Sequence, residues 1–186
     1  MGKTFDAIDE RLEAFLRDQR LFFVATAPLD ADGHLNCSPK GLDTFAVLDP
    51  HTVAYLDLTG SGVETIAHLR ENGRIVLTFS AFEGPPKIVR LHGRGAVVEP
   101  ADERFAALRA RFPAHHDGVR SVIQIAVERI SDSCGYGVPR YEFVGTRSQM
   151  AAWIEKKGPE GLAQYSATRN RASIDGLPGL APRPRG

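Results

Sequence analysis

Arg74-Ile75-Val76-Leu77-Thr78-Phe79-Ser80-Ala81-Phe82 is an apolar, β-prone run, Glu83-Gly84-Pro85-Pro86 breaks it, and Lys87 to Glu99 resumes as a long second strand. Two strands joined by a few breaker residues read as neighbours in an antiparallel sheet. Period-two spacing in the second strand puts Ile88, Arg90, His92 and Arg94 on one face and Val89, Leu91, Gly93, Gly95 and Val97 on the other. Gly93 and Gly95 inside a strand predict a bend, a bulge or a ligand lying against the backbone.

Working outward from this pair, the same grammar repeats. Leu21 to Ala27 is a strand, Asp30-Ala31-Asp32-Gly33 turns the chain, and a second strand follows. Phe45–Leu48 and Thr52–Asp57 meet across Asp49-Pro50-His51. Ser121 to Ile130 is the last long strand, with a short one at Tyr141–Val144. Helices interrupt only a few times. The spacing predicts them over Thr4–Gln19, Ser61–Asn72, Ala101–Phe112, Met150–Lys157 and Glu160–Ala167. A parallel α/β fold would alternate strand and helix throughout, so the pattern predicts a mainly β antiparallel barrel with flanking helices. A single domain is expected over residues 1–174. The tail 175–186, with Pro178, Pro182 and Pro184 among glycines, is expected to be an extended arm.

Composition narrows the function. The 186 residues carry 23 Lys+Arg against 23 Asp+Glu, so neither nucleic acid nor a polybasic membrane contact is expected. No run approaches the roughly 18 apolar residues of a membrane span, and the acidic N-terminus is no signal peptide. Cys37 and Cys134 form neither a disulfide framework nor a zinc cluster. A soluble, cytoplasmic protein is expected.

Three places carry candidate chemistry. Thr59-Gly60-Ser61-Gly62-Val63-Glu64-Thr65 lies between a strand and a helix, where glycines and free helix N–H groups suit an anion. The same residues also fit plain capping, with Ser61 as N-cap and Glu64 as its capping-box partner. The basic face Arg90, His92 and Arg94 suits a phosphate or an acid, or is the solvated outside of a barrel. Lys40-Gly41 follows Pro39, which interrupts a strand. His115-His116-Asp117 offers adjacent groups that point apart, so no metal is expected.

Taken in order, these pieces resemble the pyridoxamine 5'-phosphate oxidase-like, FMN-binding split-barrel family. The carriers are Asn36-Cys37-Ser38-Pro39-Lys40-Gly41, Tyr55-Leu56-Asp57-Leu58-Thr59-Gly60-Ser61, His68-Leu69-Arg70-Glu71-Asn72, Arg74-Ile75-Val76-Leu77 and Phe82-Glu83-Gly84. Cys134-Gly135-Tyr136-Gly137-Val138-Pro139 and Ser173-Ile174-Asp175-Gly176-Leu177-Pro178 look like the tail of one branch of that family.

The resemblance implies a homodimer with two FMN sites at the subunit interface and a small-molecule substrate. It implies cofactor contacts from Ser38, Lys40, Gly41 and Asp57, and a phosphate loop at Ser61, Gly62 and Thr65. The family's oxidases place an arginine and a lysine after that serine, and this chain has Gly62 and Val63. A base from elsewhere is then needed, and Arg90 is the expected one. The substrate-phosphate residues of true oxidases are absent apart from Lys40, so vitamin B6 oxidation is not expected. The implied function is an FMN-dependent oxidoreductase. Two alternatives keep the barrel. One is a deazaflavin-dependent reductase drawing on Arg90, Arg94, Arg183 and Arg185. The other is a non-enzymatic flavin or heme carrier, with His92 or His115 on the iron.

Overall fold

A computed structural model describes residues 2–181. Its centre is one antiparallel sheet of eight strands: β1 (Thr4–Phe5), β2 (Phe22–Thr26), β3 (Asn36–Lys40), β4 (Phe45–Asp49), β5 (Thr52–Leu58), β6 (Arg74–Ser80), β7 (Ile88–Val98) and β8 (Val119–Ser133). The pairing order is β3-β2-β6-β7-β8-β5-β4, with β1 also on β8. This is the antiparallel barrel with flanking helices that the hairpin pattern predicts, in the split form that the family resemblance implies. Pro39 sits on β3, an edge strand, where its missing N–H costs no ladder bond.

Alternation along the strands sorts side chains into two apolar clusters. Val53 and Tyr55 point into the barrel with Val24, Leu77, Leu91, Ile123 and Ile125. Ala54 and Leu56 point the other way, onto Val98, Val122 and Phe112. Phe22 and Phe79 stack in the interior with centroids 5.2 Å apart. The β7–β8 ladder shifts register opposite His92 and Gly93, where Glu128 is the extra residue on β8, and the Ala126 carbonyl of β8 passes where a Gly93 Cβ would stand.

The first three helices are shorter than their periodicity predicts. Helix α1 runs Glu10–Asp18, capped by the Asp9 carboxylate on the Leu12 N–H at 2.7 Å, while Thr4–Phe5 is drawn off to pair with β8. Helix α2 runs Glu64–Asn72, and α3 only Phe105–Arg109. The two predicted C-terminal helices lie either side of a break at Gly158 (φ 62°, ψ 174°), ahead of Pro159, and together make up α4 (Gln149–Arg169). Tyr141–Val144, expected as a strand, forms none: the Tyr141 N–H donates to the Phe82 carbonyl at 3.1 Å and the Phe143 N–H to the Glu83 carboxylate at 3.0 Å.

The expected extended arm is also corrected over its described part. Residues 175–181 fold back on the barrel. Asp175 accepts from the His34 backbone N–H at 2.8 Å, the Leu180 N–H donates to Asn170 at 2.8 Å, and Leu180 packs on the core. Pro182, Arg183, Pro184 and Arg185 lie outside the described residues. Among the described residues no helix is long and apolar enough to cross a membrane, and no His/Cys/Asp/Glu group is arranged for a metal.

Candidate functional site

β5 continues its inward parity past Val53 and Tyr55 to Asp57, which delivers a carboxylate into the end of the barrel at 1% exposure. A buried carboxylate is costly unless it is paired. Two cations meet it. Arg120 Nε donates to Oδ2 at 2.7 Å and Lys40 Nζ donates to Oδ1 at 3.2 Å, while Ser121 Oγ stands 3.4 Å from Oδ2. Burial alone would raise the Asp57 pKa. Arg120 and then Lys40 outweigh it, so the carboxyl titrates below its ordinary range.

Arg120 reaches this position through a defect in the ladder. Asp57 pairs with Ser121 and Leu58 with Val119, which leaves Arg120 as the extra residue of a β-bulge. Strict alternation would put it on the outer face with Val122; the bulge turns it inward. Its Nη1 also donates to the Gly60 carbonyl at 3.3 Å, which ties the glycine loop to the buried pair.

On β3, Asn36, Ser38 and Lys40 share one half-buried face. Ser38 Oγ donates to Asn36 Oδ1 at 3.1 Å, and Asn36 Nδ2 donates to Thr65 Oγ1 at 2.9 Å. Below them Thr26 and His68 share a hydrogen bond of 2.9 Å, and burial holds the His68 imidazole below its usual pKa. Asn36, Ser38 and Thr65 wall a cavity of about 240 Å³. Ser38, Lys40, Gly41, Gly62 and Thr65 line it, as do Arg120 and Met150. Asp57 lies beneath, bonded to its two cations.

The floor turns sharply after Gly41. Leu42 (φ 63°) and Asp43 (φ 53°) are both left-handed, and Thr44 Oγ1 closes the turn on the Gly41 carbonyl at 2.7 Å. Such residues cost about 1–3 kcal/mol each, most for a bulky one such as leucine, and tend to gather where a site is shaped. Gly41 itself is required, because a Cβ there would stand 2.9 Å from the Arg20 carbonyl.

Two expected site residues stand apart from this cavity within one chain. Ser61 is exposed and does not line the cavity, nor does it cap α2: the N-cap is Val63, which gives no side-chain bond. The Glu64 carboxylate lies instead beside Gly62, 2.5 Å from the position of a Cβ there. Arg90 does not line the cavity either. Its partner on β8 is Ser131, ten residues from the Ser121 that faces Asp57, or about 33 Å of strand. It donates to Ser133 Oγ at 3.1 Å. His92 and Arg94 share its outer face and His115 is exposed, so among the described residues Arg90, Arg94, His92 and His115 do not line this cavity.

Sequence reasoning missed Arg120. The available signal was an arginine at the head of a mostly apolar strand, Val119 to Val127, where a buried charge must have a partner. It also missed Asn170, fully buried at the end of α4, whose Nδ2 donates to the Gly60 carbonyl at 2.8 Å.

A family model described as pyridoxamine 5'-phosphate oxidase matches residues 8–134. The chain belongs to the pyridoxamine 5'-phosphate oxidase family. Within it, the family protein ustO of Aspergillus flavus is 38% identical over 192 aligned positions, covering 95% of this chain and 77% of the relative. Among solved structures, the HupZ protein of Group A Streptococcus is 25% identical with a TM-score of 0.52, covering 68% of this chain and 99% of that one. The fold is also that of a protein from Mesorhizobium loti named as FAD-binding, at a TM-score of 0.51 and 17% identity, over 71% of this chain and 96% of that one.

Proposed function

We propose that this family member is an FMN-dependent oxidoreductase, a cytoplasmic homodimer that holds the cofactor in the cavity above Lys40, Asp57 and Arg120. The observation that carries the reading is that pair of cations, oriented by one buried carboxylate, beside a helix N-terminus with no side-chain cap. Charge-assisted donors and unpaired first-turn amides together suit a phosphate dianion. Family membership supports a flavin, as does the fold shared with a protein named for binding FAD. The two exposed free thiols suit a reducing compartment.

Size argues for a second copy. A cavity of about 240 Å³ is smaller than the ~300–1,000 Å³ usual for ligand pockets, so one chain covers part of a flavin nucleotide. Two copies related by a two-fold axis would complete the site. Within one chain, Asp57 keeps the Arg120 fork and the Lys40 ammonium aimed, and Ser38 and Asn36 supply neutral hydrogen bonds along β3. Glu64 turns its carboxylate away from Gly62 when a phosphate arrives. The bound isoalloxazine supplies the redox step, by hydride or electron transfer.

The purified protein is expected to be yellow, absorbing near roughly 450 nm as flavins do. A colourless preparation that also takes up no added FMN overturns the reading. Light scattering at micromolar protein is expected to give twice the chain mass, and a monomer mass overturns the shared site.

A further inference from the structure

On the other side of the Gly41–Thr44 turn lies a second cavity, of about 270 Å³. Gly41 and Thr44 line both cavities, while Leu42 faces the first and Asp43 the second. Leu16, Phe22, Phe45 and Phe112 give the second an apolar floor. Its charged lining is Arg17, Arg20 and Arg111 against Asp43 alone.

These arginines are unequally engaged. Arg17 is bound to Glu13 at 2.6 Å. Arg20 is only 3.9 Å from Asp43 at its nearest, and the Phe143 ring stacks 5.4 Å from its guanidinium carbon. Arg111 has no ion pair or side-chain hydrogen bond among the described residues. Three cations against one carboxylate give the lining a net positive charge.

We propose that this second cavity binds a small carboxylate with an apolar body, an aryl or alkyl acid. The planar guanidinium fork of Arg111, joined by Arg20, matches a carboxylate in a bidentate way. The aromatic floor takes the body.

Calorimetric titration of the full chain with benzoate tests this, with benzamide as the neutral isostere and inorganic phosphate as the bare anion. Benzoate is expected to bind at least about tenfold more tightly than benzamide or phosphate. Arg111→Gln and Arg20→Gln are each expected to weaken benzoate about tenfold without moving the melting temperature. Asp43→Asn, which removes the competing carboxylate, is expected to tighten it; this gain does not depend on a damaged fold. The proposal is overturned by no benzoate binding up to about 10 mM, by equal affinity for benzamide, or by indifference to all three substitutions. Phosphate binding as tightly as benzoate overturns the carboxylate assignment.

Discussion

Two groups of basic residues sit on the same barrel and live under different physics. Lys40 and Arg120 converge on the buried Asp57, where Arg120 is 6% exposed and its charge is desolvated. Arg90, His92 and Arg94 line the outer face of β7, where water screens them and their partners are peripheral: Ser133 for Arg90, Glu128 for Arg94 at 3.3 Å. The second group looks more like a binding site in one dimension, because three basic residues fall at i, i+2 and i+4. The first is assembled from β3, β5 and β8 and has no one-dimensional signature. Clustering along a strand therefore marks a shared face, whereas convergence on a buried counter-charge is a product of the tertiary fold.

The sharpest break of this contrast is Asp57→Asn. It strands Arg120 as a buried charge, and removing one member of such a pair costs about 3–5 kcal/mol. A fall of roughly 10 °C in melting temperature is expected for a chain of this size, and a fall of only a degree or two would place Arg120 in water. Acid titration adds a sign. The Asp57 pKa is lowered in the folded state, so its contribution to stability is present above the ordinary carboxylate range. That contribution fades as pH falls through the lowered value. The acid limb of stability should flatten in the Asn variant.

Next come the cavity residues. Lys40→Gln and Gly62→Asp are each expected to weaken FMN by about 1–3 kcal/mol, with little change in melting temperature. Lys40 is the less buried cation, and Arg120 keeps Asp57 paired without it. Unchanged affinity in both variants, read by flavin fluorescence, places the cofactor elsewhere.

Glu64→Gln should act in the opposite direction. Its carboxylate lies over the glycine loop, so neutralising it is expected to tighten FMN by about 0.3–1 kcal/mol. Weaker binding would mean that Glu64 holds the loop in shape through its contact with the Ile174 N–H. The smallest effects belong to β7. Arg90→Ala and Arg94→Ala are expected to stay within about 0.5 kcal/mol in both stability and flavin affinity. A large loss of flavin in Arg90→Ala alone would make it a contact supplied by the second copy.

Alternation and breakers are local, so the barrel was legible in one dimension. The runs around Leu21–Ala27, Phe45–Asp57 and Arg74–Glu99 show which residues face inward, and the helix stop at Asn72-Gly73 appears where it is predicted. Helix ends were less legible: Thr4–Phe5 continues an amphipathic period, yet strand pairing with Ile130 and Ser131 claims it. Ser38, Lys40, Gly41, Asp57, Gly62 and Thr65 follow from the family's motif order, and the fold gathers them at one end of the barrel. Arg120 does not follow, because a bulge inverts its parity, and bulges are set by how two distant strands register. Asn170 reaches Gly60 across 110 residues for the same kind of reason. Sequence by itself determined the faces; only tertiary pairing decided which charges meet, since a buried carboxylate selects its partners by distance in space and not by spacing along the chain.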